Sequence, residues 1–141
     1  MIDVAMERLI PQRDPIRMVD RLVEVDGGTA TTALSVRPDN YFMEDDGAMA
    51  EPGLIEHIAQ SALALAGFRA LASGAPAPPV GYIGEVRKFR CYRRPRVGEE
   101  LRTSVVWGDT VGDIALVSGE SRVGDERVAE VGMKISIPKN A

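Results

Sequence analysis

Three groups of residues in this chain have types and spacings that could do chemistry. Glu56, His57 and Gln60 interrupt a largely apolar run over 54–72. A lone carboxylate in such surroundings is costly to bury, and burial raises the proton affinity of a carboxyl group toward the range used in general acid–base catalysis. Glu56 is therefore the leading candidate, its alternative being a structural carboxylate satisfied by an Arg or by backbone donors. His57, the only histidine, follows it directly. Adjacent helical side chains point about 100° apart, so the two cannot form a facing pair within one subunit. Across a subunit interface His57 could reach the same cleft and supply an acid–base group near neutral pH, or it could be a packing histidine with a satisfied ring. Gln60 lies one turn after Glu56, where its amide can orient the carboxylate or donate to a ligand, or pair with buried backbone.

The second group is Glu44-Asp45-Asp46-Gly47, either an acidic or hydroxyl-binding element or a solvated turn. The third is basic: six of the ten residues from Arg87 to Arg96 carry positive charge, namely Arg87, Lys88, Arg90, Arg93, Arg94 and Arg96. Such a cluster suits docking of an acidic carrier protein or a phosphate, for which Arg has the matching geometry. Strand alternation prevents all six from sharing one face, and an edge strand guarded by charge explains the cluster equally well.

These residues need elements to hold them. Glu51-Pro52-Gly53 has the form of a helix start, with Pro where no intrahelical partner is lost and an acid at the positive end of the dipole. From Leu54 to about Ala72 there is no Pro, and apolar residues occupy nearly every side, so the helix is expected to be buried nearly all round. The backbone N–H groups at Gly53 and Leu54 could hold a carbonyl oxygen. Before the helix, 17–26 and 29–36 are expected as strands joined at Gly27-Gly28, with 37–50 irregular. After it, 80–92, 99–107, 114–123 and 127–137 are expected as strands with short separators, which implies an antiparallel meander. Tyr82 and Gly84 on the first of these could line a ligand tunnel, Gly allowing close backbone approach. Two strands, a buried helix and four more strands imply an α+β fold in which the sheet wraps the helix.

Composition narrows the classes. The chain has 141 residues, 45% of them hydrophobic, enough for one core, so residues 1–141 are read as a single domain. A net charge of −4 argues against a general nucleic-acid binder. No apolar run reaches the roughly 20 residues of a spanning helix, and no signal peptide is apparent; a soluble, cytoplasmic protein outside the membrane is expected. One Cys and one His cannot assemble a Cys/His zinc cluster, and no metal or other cofactor is expected.

In order and spacing, Leu9-Ile10-Pro11-Gln12-Arg13-Asp14-Pro15 with Met18-Val19-Asp20-Arg21, Pro52-Gly53 to Glu56 with Ala59-Gln60, Val80-Gly81-Tyr82-Ile83-Gly84, and Arg93-Arg94-Pro95-Arg96-Val97-Gly98 resemble the hotdog-fold β-hydroxyacyl-acyl-carrier-protein dehydratases. The resemblance is closest to the dehydratase-like proteins found with aryl polyene and flexirubin-type pigment synthesis. It implies a hotdog domain, an antiparallel sheet wrapped around one long central helix, acting on thioesters of acyl carrier protein or CoA. It also implies a homodimer, an oligomer of dimers, or a heterodimer with a related subunit, with sites at the interface. In that family a His in a Gly-His-Phe-Pro motif and a helical carboxylate share the acid and base work. Glu56 stands where the helical carboxylate should be, but the segment Tyr41 to Ala50 holds no histidine, and Gln12 stands where many relatives have His.

Three functions follow: a 3-hydroxyacyl-thioester dehydratase centred on Glu56 with His57 as partner, an acyl-thioester hydrolase using the same carboxylate, or a non-catalytic acyl-binding or partner subunit that has lost the family histidine.

Overall fold

The computed structural model describes residues 2–138. Strands β1 (Arg21–Asp26) and β2 (Thr29–Ser35) form a hairpin; helix α1 spans Glu51–Ala72; β3 (Tyr82–Cys91), β4 (Glu100–Val111), β5 (Ile114–Val123) and β6 (Glu126–Ser136) follow. All six strands join one antiparallel sheet in the order β1-β2-β4-β5-β6-β3. This is the α+β arrangement expected of a hotdog domain.

The helix begins at Glu51 with Pro52 in its first turn, as the sequence indicates, and runs the expected length. Leu54, Ile58, Ala62 and Leu65 are buried, and so are Ala59, Leu63 and Ala64 on other sides. A helix without a polar face has no stable position on a surface, and the curled sheet removes its side chains from water. Two glycines set how deeply it sits. A Cβ on Gly119 of β5 would strike Ile58, and one on Gly67 of the helix would strike the backbone carbonyl of Leu9.

The expected meander is correct for β4-β5-β6 and incorrect for β3. The turn at Arg96-Val97-Gly98 does not fold β3 back onto β4; β4 pairs with β2, and β3 crosses to the far edge to pair with β6. The link from β3 to β4 passes the N-terminal end of the helix, where Met49 N–H donates to Pro95 O at 2.9 Å and Val97 N–H to Gly47 O at 3.1 Å. With β3 placed there, the sheet covers the helix from both sides. The strand begins at Tyr82 rather than Val80, and its first seven residues are all solvent-exposed, its outer edge unpaired among the described residues.

Candidate functional site

Glu56 is half-buried and forms part of the wall of a pocket of about 210 Å³. Gln12, Ala59, Leu63, Gly81, Tyr82, Ile83 and Ile135 complete that wall. Its lining mixes apolar side chains with Glu56, Gln12 and Tyr82, the mixture expected where an apolar chain ends in a polar group. Three segments build it: the entry segment brings Gln12, one helical face brings Glu56, Ala59 and Leu63, and the start of the β3 edge brings Gly81 to Ile83. The Gln12 Oε1 atom is buried and has no hydrogen-bond partner among the described residues.

Gln60 lies one turn after Glu56 and is fully buried. Its Nε2 donates to Glu56 Oε2 at 2.6 Å and to Ile16 O at 2.9 Å, while its Oε1 accepts from Met18 N–H at 2.6 Å. The i,i+4 spacing therefore produces the orienting contact expected of it. Of the two carboxylate oxygens of Glu56, only Oε2 has a donor among the described residues, so the other remains available to a ligand.

His57 is not in the pocket. It is fully buried on the neighbouring face of the helix, with Nδ1 2.6 Å from Met18 O and Nε2 2.6 Å from Thr103 Oγ1. The arrangement expected across a subunit interface gives way to a simpler one, because both ring nitrogens find partners inside the core. Burial pushes the ring's pKa down to about 4. Around it lies a buried polar row that the sequence reading missed. Thr32, Thr103 and Ser121 are register partners across β2, β4 and β5. Thr103 and Ser121 hydroxyls are 2.6 Å apart, and Thr32 meets Ser61 at 2.7 Å. The visible signal was Ser61, four residues after His57 on an apolar helix; the strand positions looked like ordinary Thr and Ser of a sheet.

At the helix start, one of the two expected donors is already engaged. Gly53 N–H donates to Ala50 O at 2.9 Å, and the residue is roofed by Phe42 and Met49, which a Cβ there would meet at 2.6 and 2.9 Å. Leu54 is fully buried in the core. On β3, Tyr82 lines the pocket and is 60% exposed, while Gly84 stands outside the pocket wall against Lys134 O.

The acidic loop and the basic cluster face one another. Arg94 pairs with Asp46 and, at 2.8 Å, with Glu44, and Arg96 donates to Asp46 O at 2.8 Å. The Arg94 guanidinium holds the Asp46 carboxyl below its ordinary pKa. Arg93 bridges Glu99 at 2.8 Å and Glu126 at 3.0 Å. Arg94 and Arg96 thus fasten the loop before the helix to the β3–β4 link, and Arg93 ties that link to the start of β6. Arg87 is 2.5 Å from Glu85 and Arg90 is 4.0 Å from Glu130; Lys88, with φ of 51°, has no ion pair among the described residues. Arg87, Lys88 and Arg90 border a larger open cleft of about 1000 Å³ that does not include Glu56. Among the described residues, no group of three or more His, Cys, Asp or Glu is placed to hold a metal ion. No helix among these residues is long and apolar enough to cross a membrane.

Comparison of the structure with solved proteins finds the same fold repeatedly. The chain is similar to the dehydratase heterocomplex ApeI:P from Xenorhabdus doucetiae, with a TM-score of 0.90 at 17% identity over 99% of this chain and 94% of that one. It is also similar to the PaaI protein of the phenylacetic acid degradation operon of E. coli, with a TM-score of 0.65 at 12% identity over 82% and 80%. A hypothetical thioesterase from Streptococcus pneumoniae gives a TM-score of 0.64 at 10% identity over 85% and 91%. Direct comparison with curated protein sequences gives no match. The family model for ApeP-like proteins, described as ApeP dehydratase, matches residues 4–141. Spanning nearly the whole sequence, that match shows that the chain belongs to the ApeP-like dehydratase family.

Proposed function

We propose that this chain binds 3-hydroxyacyl thioesters, carried on an acyl carrier protein, and takes part in their dehydration with Glu56 as the proton-transferring group. The observation that carries the reading is the placement of Glu56: one oxygen fixed by Gln60, the other without a protein donor, in a pocket apolar enough for an acyl chain. In the reaction, a base takes the proton α to the thioester carbonyl, the C–H electrons form the new double bond, and the β-hydroxyl leaves as water after receiving a proton.

Only Glu56 and Tyr82 are titratable on the pocket wall, whereas the family shares the work between a carboxylate and a histidine. The pocket opens beside the exposed edge of β3, so a second subunit seated on that edge would bring its own residues to the opening and supply the second proton-handling group. A related subunit carrying the histidine fits this need better than a second copy, and the heterocomplex among the similar structures supports that assembly. Arg87, Lys88 and Arg90 are the part of the basic cluster placed to meet an acidic carrier, since Arg94 and Arg96 bind the chain's own loop and Arg93 binds Glu99 and Glu126.

The test supplies a 3-hydroxyacyl carrier protein to the chain alone and mixed with a histidine-bearing dehydratase subunit, following loss of water by mass spectrometry. Enoyl product is expected from the mixture, and Glu56→Gln should lower turnover by about a hundredfold or more. An unchanged rate in that variant removes Glu56 from the chemistry. Thioester hydrolysis is the second reading, favoured by the thioesterase among the similar folds; free thiol released from a saturated acyl thioester would select it.

A further inference from the structure

The buried contacts around His57 form one chain whose donor and acceptor directions are fixed. Met18 O can only accept, so Nδ1 of His57 carries the proton and donates to it at 2.6 Å. In the neutral ring Nε2 then accepts from the Thr103 hydroxyl at 2.6 Å, which leaves Thr103 Oγ1 to accept from the Ser121 hydroxyl at 2.6 Å. On the other side of the same peptide-bearing residue, Met18 N–H can only donate, so Gln60 presents Oε1 to it at 2.6 Å. The amide nitrogen of Gln60 must therefore face Ile16 O and Glu56 Oε2. No step can be reversed without setting two donors or two acceptors against each other.

We propose that His57 is a positioning residue: bridged between Thr103 and Met18, it fixes the Met18 backbone, which sets the Gln60 amide and through it the aim of the Glu56 carboxylate into the pocket. The inference rests on Glu56 being the reacting group. His57 and Gln60 have no exposed surface, so neither His57 nor the row behind it touches substrate, and the effect travels only through Met18 and Gln60. The entry segment is the element that most needs such a tie. Met18 lies in the irregular stretch before β1, outside the regular ladder, and its two polar groups are held by two helical side chains.

Two substitutions separate the contacts of the ring. In His57→Asn the amide nitrogen falls where Nδ1 was and can still donate to Met18 O; in His57→Gln the amide reaches toward Thr103 and leaves Met18 O without a donor. Asn should keep kcat close to wild type, while Gln should lower kcat by about a hundredfold with little change in KM, the cost of misaiming a reacting group. The assay uses the chain with whichever subunit the dehydration test requires. Equal kcat in the two variants, or a change confined to KM, overturns the proposal.

A readout free of activity accompanies it. The Gln60 side-chain amide resonances should stay near wild type in His57→Asn and move in His57→Gln, and unchanged resonances in both count against it. In the unmodified protein, the nitrogen resonances of His57 should show Nδ1 protonated and Nε2 bare; the opposite tautomer refutes the chain with no variant needed. The two levels of failure are distinguishable. Glu56→Gln without effect removes the dehydration reading, whereas Glu56→Gln that lowers turnover beside equivalent Asn and Gln variants removes only the positioning role.

Discussion

At the scale of single residues, Glu56 and His57 show how far neighbours in sequence can diverge in environment. One is turned to a pocket and the other sealed in the core, because one helical step rotates the side chain onto a different surface. The sealed ring has a consequence for stability. Its folded pKa of about 4 lies below the ordinary value of 6.5, chiefly through desolvation, with the Met18 carbonyl and the charge of Asp20 acting the other way. Below pH 6.5 the unfolded chain therefore takes up a proton that the folded chain refuses. Stability from this group is complete above that pH and falls as the pH drops toward 4, by up to about 3 kcal/mol. Urea midpoints measured at both ends of this interval should show a steeper loss in wild type than in His57→Asn; parallel losses would refute the assignment. The pairing of Glu56 with Gln60 was legible because i,i+4 spacing is local. The destination of His57 was not, since its partners Met18 and Thr103 lie 39 and 46 residues away, and no short-range pattern reports which strand position will stand opposite a helical side chain.

At the scale of elements, helix α1 was the most legible part of the fold, bounded by Pro52 and marked by apolar residues on every side. Its position in the sheet was less so, because it depends on where side chains are absent. Gly67 illustrates the conflict. Helix propensity alone says that Ala at this position should stabilise by about 1 kcal/mol, yet the added methyl would enter the space of the Leu9 carbonyl. A backbone group cannot turn aside as a side chain can, and overpacking costs about 1–3 kcal/mol. Gly67→Ala should therefore lower the urea midpoint with an unchanged slope, and a raised midpoint would show that the entry segment yields. The position of β3 escaped the sequence for a related reason. A short turn after a strand usually signals a hairpin, but Arg94 and Arg96 spend that turn on ion pairs and hydrogen bonds with the loop before the helix, carrying the chain across instead of back.

At the scale of the molecule, the described residues make one sheet whose two outer strands differ. β1 is short, whereas β3 offers ten residues with an unpaired margin, including exposed Ile83 and Val86. Val86 stands away from the Glu56 pocket, so Val86→Lys tests the edge without altering the pocket wall. A new cation beside Arg87, Lys88 and Arg90 adds to the charge that guards an edge and disfavours pairing with a strand of another chain. The variant should keep its secondary structure, elute as a smaller species in size-exclusion chromatography with light scattering, and lose turnover in the mixed assay. Retention of both assembly and turnover would place the interface elsewhere.

That open margin also bears on how the protein is produced. Until another strand covers it, each newly made copy exposes backbone groups that will bond to any extended chain they meet. On the proposed assembly, copies made in excess of the subunit that covers this edge would be the first to precipitate or be degraded. The amount of this chain a cell can keep is thereby tied to the supply of whatever completes its sheet, so the two are best synthesised together and in balance.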